Sequence, residues 1–87
     1  MRPGTRIILT DHCRRAMAKR SVTEEEIRRA IAQGQWEEGK EGRKRAEVVI
    51  PYEAKWRGKY YSHKRVRVVF EDRVWAVVVV TVIALYF

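Results

Sequence analysis

The chain has 87 residues, of which 46% are hydrophobic and 34% charged. That is short for more than one domain and too apolar for a disordered segment, so a single domain over 1–87 is expected. Nineteen Lys and Arg against eleven Asp and Glu give a net charge of +8, an excess that favours polyanions by long-range attraction and counterion release. With one Cys and two His, an internal disulfide is impossible and no zinc spacing exists, so neither a metal nor a cofactor is expected.

Taken in chain order, Met1 is followed by Arg-Pro-Gly-Thr-Arg and then only three apolar residues. No secretory leader is expected from that pattern, and the lone Cys13 suits a reducing, cytoplasmic compartment. Ile7 to Leu9 lead into a helix capped by Thr10 or Asp11 and running to about Arg20. Cys13, Ala16, Met17 and Arg20 share its apolar stripe, while His12, Arg15 and Lys19 lie along one flank. Ser21-Val22 interrupts the pattern. Thr23 to Glu26 then forms a capping box, with Val22 and Ile27 placed as a hydrophobic staple. Ile27, Ala30 and Ile31 continue the apolar stripe, and Gly34 suits the position just past the helix end.

Residues 35–45 read as a polar connection, after which the apolar period changes to two. Ala46 to Ile50 is a strand, and Pro51 weakens its far end or marks an edge. A turn is expected at Arg57-Gly58, then a strand through Lys59 to Ser62. Lys64 to Glu71 alternates, with Val66, Val68 and Phe70 on one face and Arg65, Arg67 and Val69 on the other. Glu71 to Arg73 is a hairpin connection, and the last strand begins near Val74. The final fourteen residues, Val74 to Phe87, are apolar except for Thr81. They fall short of the ~20 needed to span a bilayer as a helix, so no membrane is expected. Their Val and Ile content fits a central strand buried on both faces. One face, bearing Trp75, Val77, Val79 and Ile83 or their neighbours, then needs a cover that two helices cannot give. The fold class is α+β, with two N-terminal helices packed on a three- to four-stranded antiparallel sheet.

No phosphate-binding glycine loop, nucleophile elbow or paired-carboxylate arrangement occurs. His12 and Cys13 are adjacent on a helix and do not face each other, so Cys13 reads as a packed core thiol. What remains is basic and aromatic: His12, Arg15, Lys19 and Arg20 on the first helix, and Tyr60, Tyr61, His63, Lys64, Arg65 and Arg67 in the sheet. Such groups suffice for RNA cleavage without metal, which needs a proton taken from a 2′-hydroxyl, a stabilised phosphorane and a protonated leaving oxygen. Each also has a structural reading. For Arg65 and Arg67 it is solvation of an outer strand face, for Arg20 a cap on the helix end, and for His12 a purely structural place.

The stretch from Ile8 to Ile27, with Thr10-Asp11-His12, Met17, Arg20-Ser21-Val22 and the acidic helix start, resembles the opening of the bacterial domain of unknown function 4258 family. Val66 to Phe70 and Val78 to Val82 resemble that family's closing hairpin, with its Val-Thr ending. Ser21 stands where the family usually has Gly, and Cys13 where it usually has Ala. The matching polar positions are His12, Arg20, Arg67 and Thr81. The family is similar in layout to RelE-like toxin nucleases, some of which use a Tyr near the C-terminus, matched here by Tyr86. The resemblance implies a metal-independent, toxin-like endoribonuclease acting on RNA, with His12, Arg20, Arg67 and Tyr86 as catalytic groups. Arg15, Lys19, Lys64 and Arg65 would hold the nucleic-acid backbone. An antitoxin-like protein, or a second copy through the last strand, would be the partner. A non-catalytic nucleic-acid-binding module, or a protein-interaction or oligomerisation domain, is the alternative. The catalytic reading requires His12, Arg20 and Arg67 to converge within about 10 Å on one surface, because catalytic groups must reach the same reacting atoms.

Overall fold

The computed structural model describes residues 6–87, and the Met1 to Thr5 stretch read above for a leader lies outside the described residues. The chain runs β1 (Arg6–Leu9), α1 (Asp11–Arg20), α2 (Glu24–Gln33), β2 (Glu37–Glu38), a 3-10 turn (Lys40–Gly42), β3 (Lys44–Trp56), β4 (Lys59–Asp72) and β5 (Ala76–Tyr86).

Both helices start where their caps dictate. The Thr10 hydroxyl accepts from the Cys13 N–H at 3.1 Å. Thr23 and Glu26 exchange both bonds of a capping box, at 3.1 and 2.9 Å. Val22 and Ile27 are buried beside it as the staple. α1 ends on Ser21, which adopts the left-handed conformation (φ 56°, ψ 44°) and whose backbone N–H donates to the Met17 carbonyl. α2 ends differently from the expected left-handed glycine cap. Gly34 is extended (φ −72°, ψ 154°), and its place is a matter of space. A Cβ there would lie 2.6 Å from the Glu47 carbonyl oxygen and 2.4 Å from that of Ala30, so only glycine lets the helix end press against β3.

The sheet is mixed and five-stranded, in the order β1-β5-β4-β3-β2, with β1 parallel to β5 and the other pairs antiparallel. This corrects the expected three- to four-stranded antiparallel sheet at both ends. Ile7 to Leu9 are a strand whose partner, Val77 to Val79, lies at the far end of the chain. Within the polar connection, Glu37 and Glu38 pair with Arg45 and Lys44, where no apolar alternation signals a strand. β3 continues past Pro51 because the register shifts between Pro51 and Ala54, a bulge that accommodates the missing N–H. Arg57 and Gly58 make the expected tight turn, both with positive φ (53° and 82°). β4 is one strand where two were expected. Arg73 and Ala76 exchange backbone hydrogen bonds across the next turn, so the last strand starts at Ala76 rather than Val74.

β5 carries an irregularity that reverses its faces. Val69 pairs with Thr81 and Phe70 with Val79, so Val80 is an extra residue in β5. Val77 and Val79 face the helices before it, and Val82, Ala84 and Tyr86 face them after it. Ile83 and Leu85 are about half exposed on the other face. The expected grouping of Ile83 with Val77 and Val79 therefore fails, as does burial of the whole strand on both faces. One core cluster joins Cys13, Ala16, Ile27 and Ile31 of the helices to Val66, Val68, Phe70, Val77, Val79 and Val82 of the sheet. The Cys13 thiol is fully buried there, and burial pushes its pKa up. Among the described residues, no helix is long and apolar enough to cross a membrane.

Candidate nucleic-acid interface

α1 turns its apolar stripe to β5 and leaves a cationic flank outside. His12, Arg15, Lys19 and Arg20, with Ala16 between them, line one open depression. The 3.6-residue period produces this directly, since positions 12, 15, 16, 19 and 20 fall on one side of a helix. Among the described residues, the side chains of His12, Arg14, Arg15, Lys19 and Arg20 have no ion pair or hydrogen bond. The flank continues into a second hollow lined by Lys19, Arg20, Trp56, Arg57 and Ala84. There the Arg57 guanidinium sits 4.6 Å over the Trp56 ring, and Trp56 stacks on Tyr86 at 4.3 Å.

On α2 and in the body of the sheet many cations have carboxylate partners, whereas Lys55, Arg57 and Lys59 around the β3–β4 turn have none among the described residues. On α2, Arg28 pairs with Glu24 and Arg29 with Glu25, one turn apart. Lys44 pairs with Glu38 and Arg45 with Glu37 along the β2 edge. Arg43 and Arg73 flank Glu71, whose carboxyl is held below its ordinary pKa chiefly by the Arg73 hydrogen bond.

Arg65 and Arg67 occupy the outer face of the sheet, opposite the helices, since their neighbours Val66 and Val68 are fully buried. Glu47 stands directly across from Arg67 in the β3–β4 register. It accepts from Arg67 Nε and Nη2 at 3.2 and 3.0 Å, and Arg65 Nε lies 3.9 Å from the same oxygen. The Arg65 guanidinium also rests 5.3 Å over the Phe87 ring.

Lys64 and Tyr86 are structural. Lys64 was expected on phosphate, but it shares the inner face with Val66 and Val68 and is only 2% exposed. Its ammonium bonds both oxygens of Glu26, at 2.8 and 3.1 Å, and the Ser21 carbonyl. Tyr86 is 8% exposed and donates to the Arg20 carbonyl at 2.7 Å. Burial, followed by the nearby Tyr52 and Glu26, pushes its pKa up to about 12. Together Lys64, Glu26 and Tyr86 fasten the turn between the helices to β4 and β5, satisfying carbonyls that α1 leaves open at its end.

The structure thus brings His12, Arg15, Lys19 and Arg20 together and does not bring Arg67, Arg65, Lys64 or Tyr86 to them. The sheet stands between the α1 flank and Arg65 and Arg67. Convergence of His12, Arg20 and Arg67 on one surface, which the four-residue catalytic set required, is not found. Trp56 and Arg57 were missed as neighbours of this flank. An aromatic beside a cation at a predicted turn was the available signal, but only the length of the β3–β4 hairpin carries that turn to α1. Among the described residues no group of three or more His, Cys, Asp or Glu is gathered as a metal site. The family model described as Domain of unknown function (DUF4258) matches residues 9–84. No curated protein and no solved structure matches the chain.

Proposed function

The chain belongs to the DUF4258 family, and on that footing we propose that it binds the phosphate backbone of nucleic acid through the α1 flank. The observation that carries this reading is the set of cations gathered on one helix side, Arg15, Lys19 and Arg20, left without carboxylate partners while Arg28 and Arg29 of α2 and Lys44, Arg45 and Arg67 of the sheet have theirs. Unpaired, solvent-facing cations side by side are the electrostatic footprint of a polyanion site. Arg57, held over the Trp56 ring whose other face is taken by Tyr86, adds a further cation at the adjoining hollow.

A toxin-like ribonuclease of the RelE-like layout is the catalytic form of the same reading. It rests on His12, which lies in the cationic depression, within reach of a phosphate held by Arg15 and Lys19. Tyr86 does not support it, because its hydroxyl is committed to Arg20 and its proton is held more tightly than usual.

Binding of a labelled single-stranded RNA, followed by anisotropy across salt concentrations, tests the proposal. Three phosphate contacts predict a log–log slope of about −2, so affinity falls roughly twentyfold between about 50 and 200 mM salt. A flat response sinks it. RNA cleavage that His12→Ala abolishes would add the catalytic form; intact RNA at saturating protein leaves the binding module.

A further inference from the structure

β5 is covered by β1 only from Ala76 to Val79. From Val82 to Tyr86, its edge away from β4 has no strand beside it among the described residues. The ladder fixes where the backbone points. Phe87 and His63 exchange both N–H···O bonds, at 3.0 and 2.8 Å. Alternation then makes Leu85–Arg65 and Ile83–Arg67 bonded pairs, and it turns the N–H and C=O of Val82, Ala84 and Tyr86 outward. Nearer the bulge, the Thr10 hydroxyl takes the Val80 carbonyl at 3.1 Å. Natural sheets usually blunt such an edge with Lys, Pro or a covering element, and this stretch carries neither residue. Ala84 borders hollows on both sides: one with Lys19, Arg20 and Arg57 on the helix face, the other with Ile83 and Leu85 on the outer face.

We propose that the β5 edge takes up an extended segment of a partner protein as a sixth strand, one that alternates acidic and apolar residues. Backbone pairing to Val82, Ala84 and Tyr86 supplies the attachment, and alternate side chains supply the selectivity. Side chains of the added strand on the helix face meet Lys19, Arg20 and Arg57, which calls for carboxylates. Those on the outer face meet Ile83 and Leu85, which calls for aliphatic groups. A second copy fits less well: β5 has no acidic residue to offer, and pairing two copies would oppose like charges. The inference goes beyond the phosphate reading but shares Lys19 and Arg20 with it, so peptide and nucleic acid compete.

Amide hydrogen exchange on the full chain tests this, using a synthetic peptide that alternates glutamate and valine and a twin that alternates lysine and valine. The glutamate peptide slows exchange at Val82, Ala84 and Tyr86, whose amides are otherwise open, and the lysine twin does not. Ala84→Pro removes one outward N–H without touching the β4 ladder and weakens the peptide by about tenfold or more. Should that variant not fold, Leu85→Lys serves, with a loss of roughly threefold. Arg15→Glu keeps peptide affinity within about twofold while RNA affinity drops, which separates failure of this idea from failure of the phosphate site. Equal binding of both peptides overturns the proposal. So does protection of the three amides in the peptide-free chain, protection that grows with protein concentration alone (a second copy), or protection by RNA.

Discussion

Arg15 and Lys19 on α1 and Arg65 and Arg67 on β4 are all partly or fully solvent-facing cations, yet they stand in opposite electrostatic surroundings. The α1 pair looks into an open depression with no carboxylate near it. The β4 pair shares Glu47, set opposite by strand register. Clustered positive charge is therefore a poor guide to which cations are free. What decides is whether the neighbouring strand or the next helical turn supplies an acid. On α1 the sole acid, Asp11, sits at the start of the helix, where it suits the positive end of the dipole.

The sharpest way to test this division is through Lys64, a cation of a third kind. Glu26→Gln strips the buried Lys64 ammonium of its carboxylate and is expected to cost about 3–5 kcal/mol of stability, the usual penalty for leaving one buried charge unpaired. Denaturant melts read this directly. If the melts are unchanged, the pair is not holding the helix turn to the sheet. Next in size is the flank itself. Arg15→Glu with Lys19→Glu should weaken RNA binding on the order of a hundredfold, about 2.7 kcal/mol, by removing two phosphate contacts and adding repulsion. Arg65→Ala with Arg67→Ala should change it by less than about threefold, since those charges already have a partner. Equal losses from the two double variants would erase the distinction.

Glu47→Gln asks whether pairing is the cause. It frees Arg65 and Arg67, and RNA affinity is expected to rise by roughly threefold, the scale of an exposed charge near a polyanion. A drop in affinity would mean that Glu47 shapes the surface rather than neutralising it. The smallest effect is confined to alkaline solution. The Tyr86 hydroxyl ionises near 12 in the folded chain against 10.0 ordinarily. Below the lower value neither state is charged, and stability is unaffected. Between the two, only the unfolded chain loses this proton, so stability declines across that window. Tyr86→Phe should flatten the decline, and phenolate absorbance should show one of the four tyrosines titrating late.

Local signals carried much of the architecture. Thr23 to Glu26 specified a helix start because every atom of a capping box lies within four residues, and Val66, Val68 and Phe70 declared the inner face of β4 by simple alternation. What stayed hidden depends on distant partners. Ile7 to Leu9 become a strand only because Val77 to Val79 lie alongside. Lys64 looks like any other basic residue between Tyr61 and Arg65 until its parity in β4 points it at Glu26. At the candidate site, the α1 flank was legible because helical spacing alone assembles it. The supposed contributions of Arg67 and Tyr86 were not, because which side of a sheet a residue serves is a tertiary fact.

The extra residue at Val80 has a bearing on how relatives of this chain should be compared. Were Val80 part of an unbroken alternation, Thr81, Ile83 and Leu85 would turn toward the helices, and Val82, Ala84 and Tyr86 would turn toward water. As an insertion it keeps the later residues on the faces that a strand one residue shorter would give them. A related chain lacking that residue must be aligned with a gap at this point. Matched column by column instead, every later position would be set against one that looks the other way, and an interior tyrosine would be mistaken for a surface one.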